Sequence, residues 1–288
     1  MGDDILSVME SMAPTLSKGQ RRIATYITES YDKAAFMTAS KLGKAVGVSE
    51  STVVRFAMEL GYDGYPTMQK VLQELVMSRL TTVQRMGVTK DRIGDQDVVS
   101  SVLQSDMDKL RRTAEQLNRD DFQDCVDAFL KARSIYVVGV RSAAALANFA
   151  GYYLNYMFDN VHVITSSGGS EMLEKLIHVR PDDVVLAISF PRYSTSTIKG
   201  VQYCRQTGAT VVGLTNSSLS PLAQICDHTL IAKSDMVSFV DSLVAPLSVL
   251  NALLVALASG KKDVVQNNLD NLERVWDTYN VYEKRNDV

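Results

Sequence analysis

The sequence predicts an α/β chain: an all-helical N-terminal helix-turn-helix domain followed by a domain built on a doubly wound parallel sheet. At 288 residues the chain is long enough for about two domains. Residues 1 to about 78 carry helical apolar periodicity only, whereas from Ser134 onward short apolar strands alternate with helical patterns. That alternation is typical of a parallel sheet covered by helices on both faces.

The segment from Val48 to Glu59 predicts the second helix of a helix-turn-helix pair. Ser49 is suited to be its N-cap, because the hydroxyl can accept a hydrogen bond from the first turn. The small hydroxyls of Ser51 and Thr52 and the guanidinium of Arg55 fall on the opposite face from the apolar stripe. That stripe repeats at i, i+3, i+4 and i+7 and consists of Val53, Phe56, Ala57 and Leu60.

A second amphipathic helix, predicted over Thr38 to Val46, ends at Gly47 and leaves only a tight turn before Ser49. In a helix-turn-helix the second helix enters the major groove of DNA, and its N-terminal residues meet base edges. A packed helical hairpin without a ligand would give the same spacing, so that alternative stays open.

Charge supports the DNA hypothesis locally but not globally. The formal net charge of −3 gives no overall attraction to nucleic acid. Between Lys18 and Arg55, however, seven basic residues face only Glu29, Asp32 and Glu50. Lys18 and Arg21 are therefore predicted phosphate contacts, next to the base-reading set Ser49, Ser51, Thr52 and Arg55.

The middle of the chain predicts a connection between the two domains. A helix is expected from Met68 to Leu80, a polar linker from 81 to 96 and a connecting helix from Val98 to Leu117. Asp120 or Asp121 is the expected N-cap of the next helix. The predicted boundaries are 1–78 for the helix-turn-helix domain, 79–120 for the linker and connecting helix, and 121–288 for the sheet domain.

Five strands are predicted in the second half, each short and apolar. Helices between them are predicted over Ser142–Phe158, Ser170–His178, Thr195–Gln206 and Pro221–Cys226. The strands are Ile135–Gly139, Val161–Ile164, Val184–Ser189, Val211–Thr215 and Thr229–Ala232. The apolar run from Leu243 to Ala258 is interpreted as a buried core helix, and Val264–Tyr282 as a final amphipathic helix.

Hydroxyl side chains are concentrated where strands end. The loops 139–142, 189–197 and 215–221 each lead toward a predicted helix start. Hydroxyls and free N–H groups at a helix N-terminus form an anion site, helped by the helix dipole. Plain N-capping is the alternative for any one loop, but three such loops in one sheet favour a ligand. Neither a P-loop nor a GxGxxG motif is present, which argues against a dinucleotide.

Other site classes find little support in the composition. Cys125, Cys204 and Cys226 lie far apart without CxxC pairing, and the three histidines are scattered, so neither a disulfide framework nor a metal site is expected. No cofactor is predicted. The longest apolar run is shorter than the ~20 residues of a membrane span, and a signal-peptide pattern is lacking, so a cytoplasmic protein is expected.

The chain resembles the RpiR/MurR family of bacterial transcription regulators, which join a helix-turn-helix domain to a sugar isomerase (SIS) domain. In the first half the resemblance rests on the runs 16–24, 48–56 and 60–65, and in the second on 138–142, 188–194, 220–223 and 241–243. It covers nearly the whole chain in the expected order. The resemblance implies a sensor of a phosphosugar or related sugar acid.

The family's phosphate loop is similar to Ser-x-Ser-Gly-x-Thr, and hydroxyls of the first and third loops hold the phosphate. This carries over to Ser142, Ser189 and Ser194. Here Pro191 and Arg192 replace the middle Ser-Gly, which removes a hydroxyl and adds a positive charge able to bind an anion bidentately. The predicted ligand set is Ser142, Glu171, Ser189, Arg192, Ser194 and Thr195.

A regulator that binds operator DNA as a homodimer or dimer of dimers is the favoured interpretation. The alternative is a phosphosugar isomerase with a helical accessory domain, for which Glu171 is the candidate general base. No acid–base pair is evident, so no catalytic residue is assigned. A non-DNA-binding adaptor would leave the face of Ser51, Thr52 and Arg55 unexplained.

Overall fold

The computed structural model describes residues 5–79, 97–234 and 240–282. The chain divides into two compact units, Met1–Gln84 and Arg85–Val288. The expected linker 81–96 and the last residue of the helix expected over 68–80 lie outside the described residues.

The described part of the first unit is helical, as its periodicity predicts. Its core is formed by fully buried side chains that include Ile23, Leu42, Phe56 and Leu72. The helices are α1 (Ile5–Met12), α2 (Lys18–Glu29), α3 (Tyr31–Ala34), α4 (Ala39–Val46), α5 (Glu50–Glu59) and α6 (Tyr65–Arg79).

Local capping explains where the helix-turn-helix elements begin and end. Thr38 and Ser49 cap α4 and α5 by accepting from the backbone N–H groups of Lys41 and Thr52. Between the helices, Gly47 has φ +69°, a left-handed conformation that glycine adopts without steric cost. The predicted helix-turn-helix pair is confirmed.

The second unit is a five-stranded sheet with helices on both faces. Its strands are β1 (Ile135–Gly139), β2 (Val161–Ile164), β3 (Val184–Ile188), β4 (Thr210–Thr215) and β5 (His228–Ile231). The strand order is β2-β1-β3-β4-β5, and every neighbouring pair is parallel. The helices are α7 (Val98–Gln116), α8 (Arg119–Lys131), α9 (Ala143–Leu154), α10 (Gly169–Leu176), α11 (Thr195–Gln206), α12 (Val244–Gly260) and α13 (Lys262–Tyr279).

Alternation along the central strands produces one apolar core on each face of the sheet. Ile135 and Val137 belong to the core shared with α8, α9 and α12, whereas Tyr136 and Val138 belong to the core shared with α10 and α11. Because both faces are covered, the central strands β1 and β3 are buried along their whole length and do not alternate with exposed polar residues. The predicted doubly wound fold is confirmed.

Two local expectations were wrong. Neither Asp120 nor Asp121 caps α8; Asn118 does, since its side-chain oxygen accepts from the N–H groups of both aspartates. The helix expected over Pro221–Cys226 is only a 3₁₀ turn, Ala223–Ile225. The Ser220 hydroxyl accepts from the Ala223 N–H and starts this single turn, and β5 begins three residues after it.

Among the described residues no single helix is long and apolar enough to cross a membrane. Helices α12 and α13 would pass such a test only as a pair, and the chain bends by 98° between them.

Candidate functional site

Three hydroxyls converge at the N-terminus of α5. The Ser49 Oγ lies 2.9 Å from the Ser51 Oγ and 2.8 Å from the Thr52 Oγ1. It also accepts from the Thr52 backbone N–H at 3.3 Å. Ser49 and Ser51 are exposed and Thr52 is half-buried, so the structure brings the three predicted hydroxyls together on one surface.

The basic side chains of this predicted surface differ in how they are held. Arg55 is exposed and has no hydrogen-bond or ion-pair partner within residues 5–79, 97–234 and 240–282. Lys18 is exposed at the first position of α2. Arg21 is also exposed, but its Nη2 donates to the Leu16 carbonyl at 3.2 Å. Lys18 and Arg55 are therefore the side chains most available to a partner.

The first turn of α2 lies beside the first turn of α5. A Cβ built on Gly19 would stand 3.4 Å from Val48 Cγ1 and 3.7 Å from Thr52 Cγ2. Lys18 is thereby placed next to the hydroxyl cluster. Arg22, which was not among the predicted site residues, donates from Nη1 to the Gly47 carbonyl at 3.4 Å and ties α2 to the helix-turn-helix turn.

The second candidate site lies at the carboxyl ends of β1 and β3. These strands are neighbours in the sheet, yet β1 connects outward to β2 while β3 connects to β4 on the other side. Such a reversal of strand order opens a crevice in which doubly wound proteins bind ligands. Because Gly139 pairs with Ile188, the loops after the two strands start side by side. We call this place the β1/β3 crevice.

The loop after β1 holds Ser142 at the start of α9. Ser142 is exposed and forms no side-chain capping bond; instead its Oγ donates to Asp241 Oδ2 at 3.3 Å. The preceding Arg141 has φ +58°, a left-handed conformation that is costly for a residue other than glycine. Its guanidinium has no partner among the residues that the structure describes, and this loop therefore offers a positive charge as well as a hydroxyl.

The loop after β3 carries the other predicted ligands. Ser189 is nearly buried, with 5% of its surface exposed, and no described group hydrogen bonds to its hydroxyl. Arg192 is exposed with φ +68°, so an arginine in left-handed backbone follows β3 as one follows β1. Ser194 caps α11, and its Oγ lies 2.7 Å from the Ser196 Oγ. Thr195 is exposed at the first position of that helix.

Two hydroxyls of the loop after β4 stabilise the turn itself. Ser217 Oγ accepts from the Leu219 N–H, and Ser220 Oγ accepts from the Ala223 N–H, each at 3.1 Å. The loop is joined to the β3 loop by Tyr193, whose hydroxyl donates to Asn216 Oδ1 at 2.8 Å. Ser194 also caps a helix, so capping alone does not separate the loops. The loop after β4 has no arginine in left-handed backbone, whereas the loops after β1 and β3 each have one, and these two loops remain as ligand candidates.

Glu171 does not belong to the loops after β1 or β3. It lies in α10, which follows the edge strand β2. Its Oε1 accepts from Lys175 Nζ at 2.8 Å, and this contact lowers the pKa of the carboxyl. A carboxylate with a lowered pKa is a weak general base. None of the three histidines lies in the loops after β1 or β3, and the His162 ring stacks on Tyr136 with centroids 4.7 Å apart.

Three residues at this edge of the sheet were not predicted as site residues. Asp241 contacts Ser142 from a segment 99 positions away in the chain, which no local pattern indicates. Arg141 is recognised by its backbone conformation rather than by its spacing. Thr197, in the first turn of α11, is fully buried, and its hydroxyl has no partner among the described residues.

Comparison with known proteins identifies both units. Residues 3–78 match the model of the helix-turn-helix domain of the rpiR family, and residues 128–256 match the SIS domain model. The molecule is thus a helix-turn-helix protein with an SIS domain, the class of regulator that the sequence resembles. The chain belongs to the RpiR family of transcriptional regulators.

Individual relatives agree with this assignment. The chain is 25% identical over 256 residues to the HTH-type transcriptional regulator HexR of Pseudomonas aeruginosa, covering 87% of each protein. The sugar isomerase domain of an RpiR transcription factor from Sphaerobacter thermophilus is 30% identical, with a TM-score of 0.60, and the match covers 62% of this chain and 99% of that domain.

Another solved structure shares the fold over nearly the whole chain. The Vibrio vulnificus NanR protein, whose structure is that of a complex with ManNAc-6P, is 23% identical with a TM-score of 0.59. The match covers 94% of this chain and 98% of that one. At this level of identity the likeness is one of fold.

Proposed function

We propose that this transcriptional regulator binds operator DNA through the N-terminus of α5 and that an anionic sugar, a sugar phosphate or a sugar acid, bound in the β1/β3 crevice changes its operator affinity. The observation that carries the proposal is the pairing of two loops at the strand-order reversal, each with a serine hydroxyl and an arginine in left-handed backbone.

On the DNA side, the exposed cluster of Ser49, Ser51 and Thr52 supplies short hydrogen-bonding groups that suit phosphates and base edges alike. Arg55 lies one turn further along the same helix and is free to make a bidentate contact with guanine in the major groove. Lys18, beside the cluster, and Arg21 supply positive charge for the DNA backbone.

On the ligand side, Ser142 and Ser189 stand on adjacent loops, and the nearly buried Ser189 hydroxyl lacks a hydrogen bond from any described group. Its proton is therefore available to an acceptor on a bound ligand. Arg141 and Arg192 provide charge for a phosphate or carboxylate. Ser194 and Thr195 add hydroxyls at the N-terminus of α11, where the helix dipole favours an anion. Glu171 is retained as a residue for sugar hydroxyls.

Control of DNA binding needs only a modest difference in affinity. An effector that favours one arrangement of the protein by ~1–3 kcal/mol changes operator affinity by roughly 5- to 150-fold. Among the described residues no acid–base pair meets in the β1/β3 crevice, and we therefore assign the site to ligand binding and not to turnover.

A homodimer, or a dimer of dimers, is part of the proposal. Two recognition helices must reach half-sites about 34 Å apart, which one chain does not provide. The amphipathic helix α13 supports this, because none of its residues is buried within the chain and Val275 and Tyr279 are 48% and 75% exposed. The expected mass in solution is therefore at least twice 31.7 kDa.

One experiment tests both halves of the proposal. The purified protein is titrated onto DNA from its own upstream region, with and without each member of a panel of sugar phosphates and sugar acids that includes ManNAc-6P. We expect one compound to raise the melting temperature and to change operator affinity at least fivefold. In Ser189→Ala the DNA affinity should be kept and the response to that compound lost.

The contrary outcome is equally definite. Turnover of a sugar phosphate that depends on Glu171, with no binding to the upstream DNA, would replace the regulator by the isomerase. A normal effector response in Ser189→Ala would place the anion outside the β1/β3 crevice.

A further inference from the structure

One of the hydroxyls proposed to bind the effector is already hydrogen bonded to a carboxylate of the chain itself. Ser142 Oγ, at the start of α9, donates to Asp241 Oδ2 at 3.3 Å. Asp241 is half-buried in the short segment that precedes α12. The hydroxyl that would donate to a phosphate oxygen is thus already donating to an anion, and the two acceptors compete for one proton.

Charge sharpens this competition. A phosphate placed at Ser142 would bring its negative charge next to the Asp241 carboxylate, and like charges at hydrogen-bond distance disfavour each other strongly. An anionic effector that takes the Ser142 hydroxyl therefore has to move Asp241 away. A neutral sugar does not have to, because its hydroxyls can donate to the Ser142 oxygen or to Asp241 and leave the contact between the two residues in place.

The next residue links the same segment to the connecting helix α7. Ser242 Oγ donates to Asp106 Oδ1 at 2.7 Å. Asp106 Oδ1 also lies 3.2 Å from Lys109 Nζ, and the side chains of Asp106 and Lys109 are only 18% and 3% exposed. Lys109 Nζ donates further to Ser105 Oγ at 2.7 Å. We call Ser105, Asp106, Lys109 and Ser242 the α7 polar cluster.

Burial makes the α7 polar cluster sensitive to the loss of one member. A nearly buried ammonium depends on its few partners, because removing one leaves charge without compensation in a poorly hydrated place. Since Asp241 and Ser242 are adjacent in the chain, displacement of Asp241 alters the Ser242 contact with Asp106. The helix that responds is α7, which lies in sequence between the helix-turn-helix unit and the sheet.

We infer that Asp241 is a built-in competitor of the anionic effector, and that its displacement from Ser142 is transmitted through Ser242 to α7. This inference rests on the proposed anion site in the β1/β3 crevice and assigns to that site its route of regulation. It also defines the effector class by charge, since only an anion is opposed by the carboxylate.

Inorganic phosphate and glucose 6-phosphate serve as probes in calorimetric titrations of the full-length protein and its variants. Asp241→Asn keeps a hydrogen-bonding side chain but removes the charge, so phosphate should bind at least fivefold more tightly. Asp159→Asn is the matched control. It removes one exposed carboxylate just before β2, at the opposite edge of the sheet, and should leave phosphate affinity within twofold of wild type.

Transmission is read by hydrogen exchange of the amides of α7. In the wild type, saturating phosphate should change the exchange rates of α7 at least threefold. Ser242→Ala should bind phosphate within twofold of the wild-type affinity but lose this change, and Ser242→Thr, which keeps a hydroxyl, should retain it.

The outcomes distinguish a failure of the anion site from a failure of the roles assigned to Asp241 and Ser242. If Ser189→Ala abolishes phosphate binding while Asp241→Asn binds no more tightly than Asp159→Asn, the competitor role is wrong and the anion site stands. If Ser242→Ala keeps the α7 response, the route through Ser242 is wrong. If neither probe binds to the wild type or to Asp241→Asn, the anion site fails and the inference falls with it.

Discussion

Three arginines of the first unit have the same charge but different surroundings. Arg22 donates to the Gly47 carbonyl and Arg21 to the Leu16 carbonyl, whereas Arg55 has no partner among the described residues. The sequence contains a local excess of basic residues, but it does not show which arginines bind backbone carbonyls within the fold and which can reach DNA. That distinction depends on which carbonyls the fold brings within reach.

Arg55→Ala should weaken operator binding by ~1–3 kcal/mol, because it removes the proposed bidentate contact with a base edge. The melting temperature should stay unchanged, since the exposed guanidinium contributes no contact to the fold. Fluorescence anisotropy on the upstream DNA measures the affinity. Lys33→Ala, on α3, removes a positive charge from the same unit and serves as control; equal losses in both variants would mean that Arg55 acts through charge alone.

The cysteines give a prediction about pH. Burial raises the pKa of the Cys125 and Cys204 thiols from 9.0 to about 12. Between pH 9 and pH 12 these thiols are deprotonated in the unfolded chain but still protonated in the folded chain. Their contribution to the free energy of unfolding is therefore fully present below pH 9 and is lost as the pH rises toward 12. The urea midpoint should be constant from pH 7.5 to 8.5 and decline above 9.

Cys204→Ala removes one of these titrating groups and should make the alkaline decline shallower. A midpoint that is independent of pH up to 10, in the wild type, would contradict the burial of the thiols. Native protein should also react slowly with a thiol reagent at pH 8, because the neutral thiol is a poor nucleophile.

Secondary-structure elements were predictable where a side chain and the backbone cooperate locally. Ser49 and Gly47 define the turn of the helix-turn-helix by capping and by a positive φ, and both effects are readable from sequence. The start of α8 was less predictable, because Asn118, Asp120 and Asp121 are all good caps and only the backbone path selects among them.

The ligand loops show the limit of the same reasoning. Hydroxyl content alone marked three loops, yet Ser217 and Ser220 stabilise their own turn while Ser189 is without a described partner. The sequence could not show this, because the N–H groups that occupy a serine are determined by the local turn. The run 241–243 carries part of the resemblance, but the contact of Asp241 with Ser142 was not predictable, since it depends on how the segment before α12 returns to the sheet.

Glycine at the end of β1 gives a test at the level of elements. A Cβ on Gly139 would stand 2.8 Å from the Ala143 carbonyl and 3.0 Å from Ala147 Cβ, in the close approach of β1 to α9. Gly139→Ala should therefore destabilise the protein by ~1–3 kcal/mol, as overpacking does. Because the β1 loop follows directly, phosphate binding should weaken as well. Chemical denaturation and calorimetry measure the two effects.

Gly169→Ala is the matched control, since a Cβ at this first position of α10 would meet nothing within 4 Å. It should leave stability unchanged or raise it slightly, as alanine is the better helix residue. Equal effects of the two substitutions would show that the approach of β1 to α9 is not under steric constraint.

At the scale of the whole molecule, the order of elements predicted the class of fold and the edge of the sheet at which a ligand is expected. Alternating strands and helices imply a parallel sheet, and an open sheet of this kind binds ligands where strand order reverses. The reversal itself, between β1 and β3, came only from the structure, because neighbouring strands in space need not be neighbours in the chain.

Each unit has apolar side chains enough for a core of its own. The two apolar clusters of the second unit draw only on residues 117–265. The buried apolar residues of the first unit lie within 5–76 and come from all six of its described helices. Cutting the chain between Gln84 and Arg85 therefore removes no member of these clusters, and we expect both fragments to fold.

The separated fragments test where each activity resides. The fragment 85–288 should bind phosphate within twofold of the full-length affinity, because Ser142, Ser189, Asp241 and α7 all belong to it. The fragment 1–84 should bind DNA more weakly than the full chain, since two recognition helices no longer act as one linked pair. It should also be indifferent to the effector. If the DNA affinity of the fragment 1–84 still responds to the sugar phosphate, the ligand binds among the helices of the first unit. The sheet domain would then not be needed for the response to the effector.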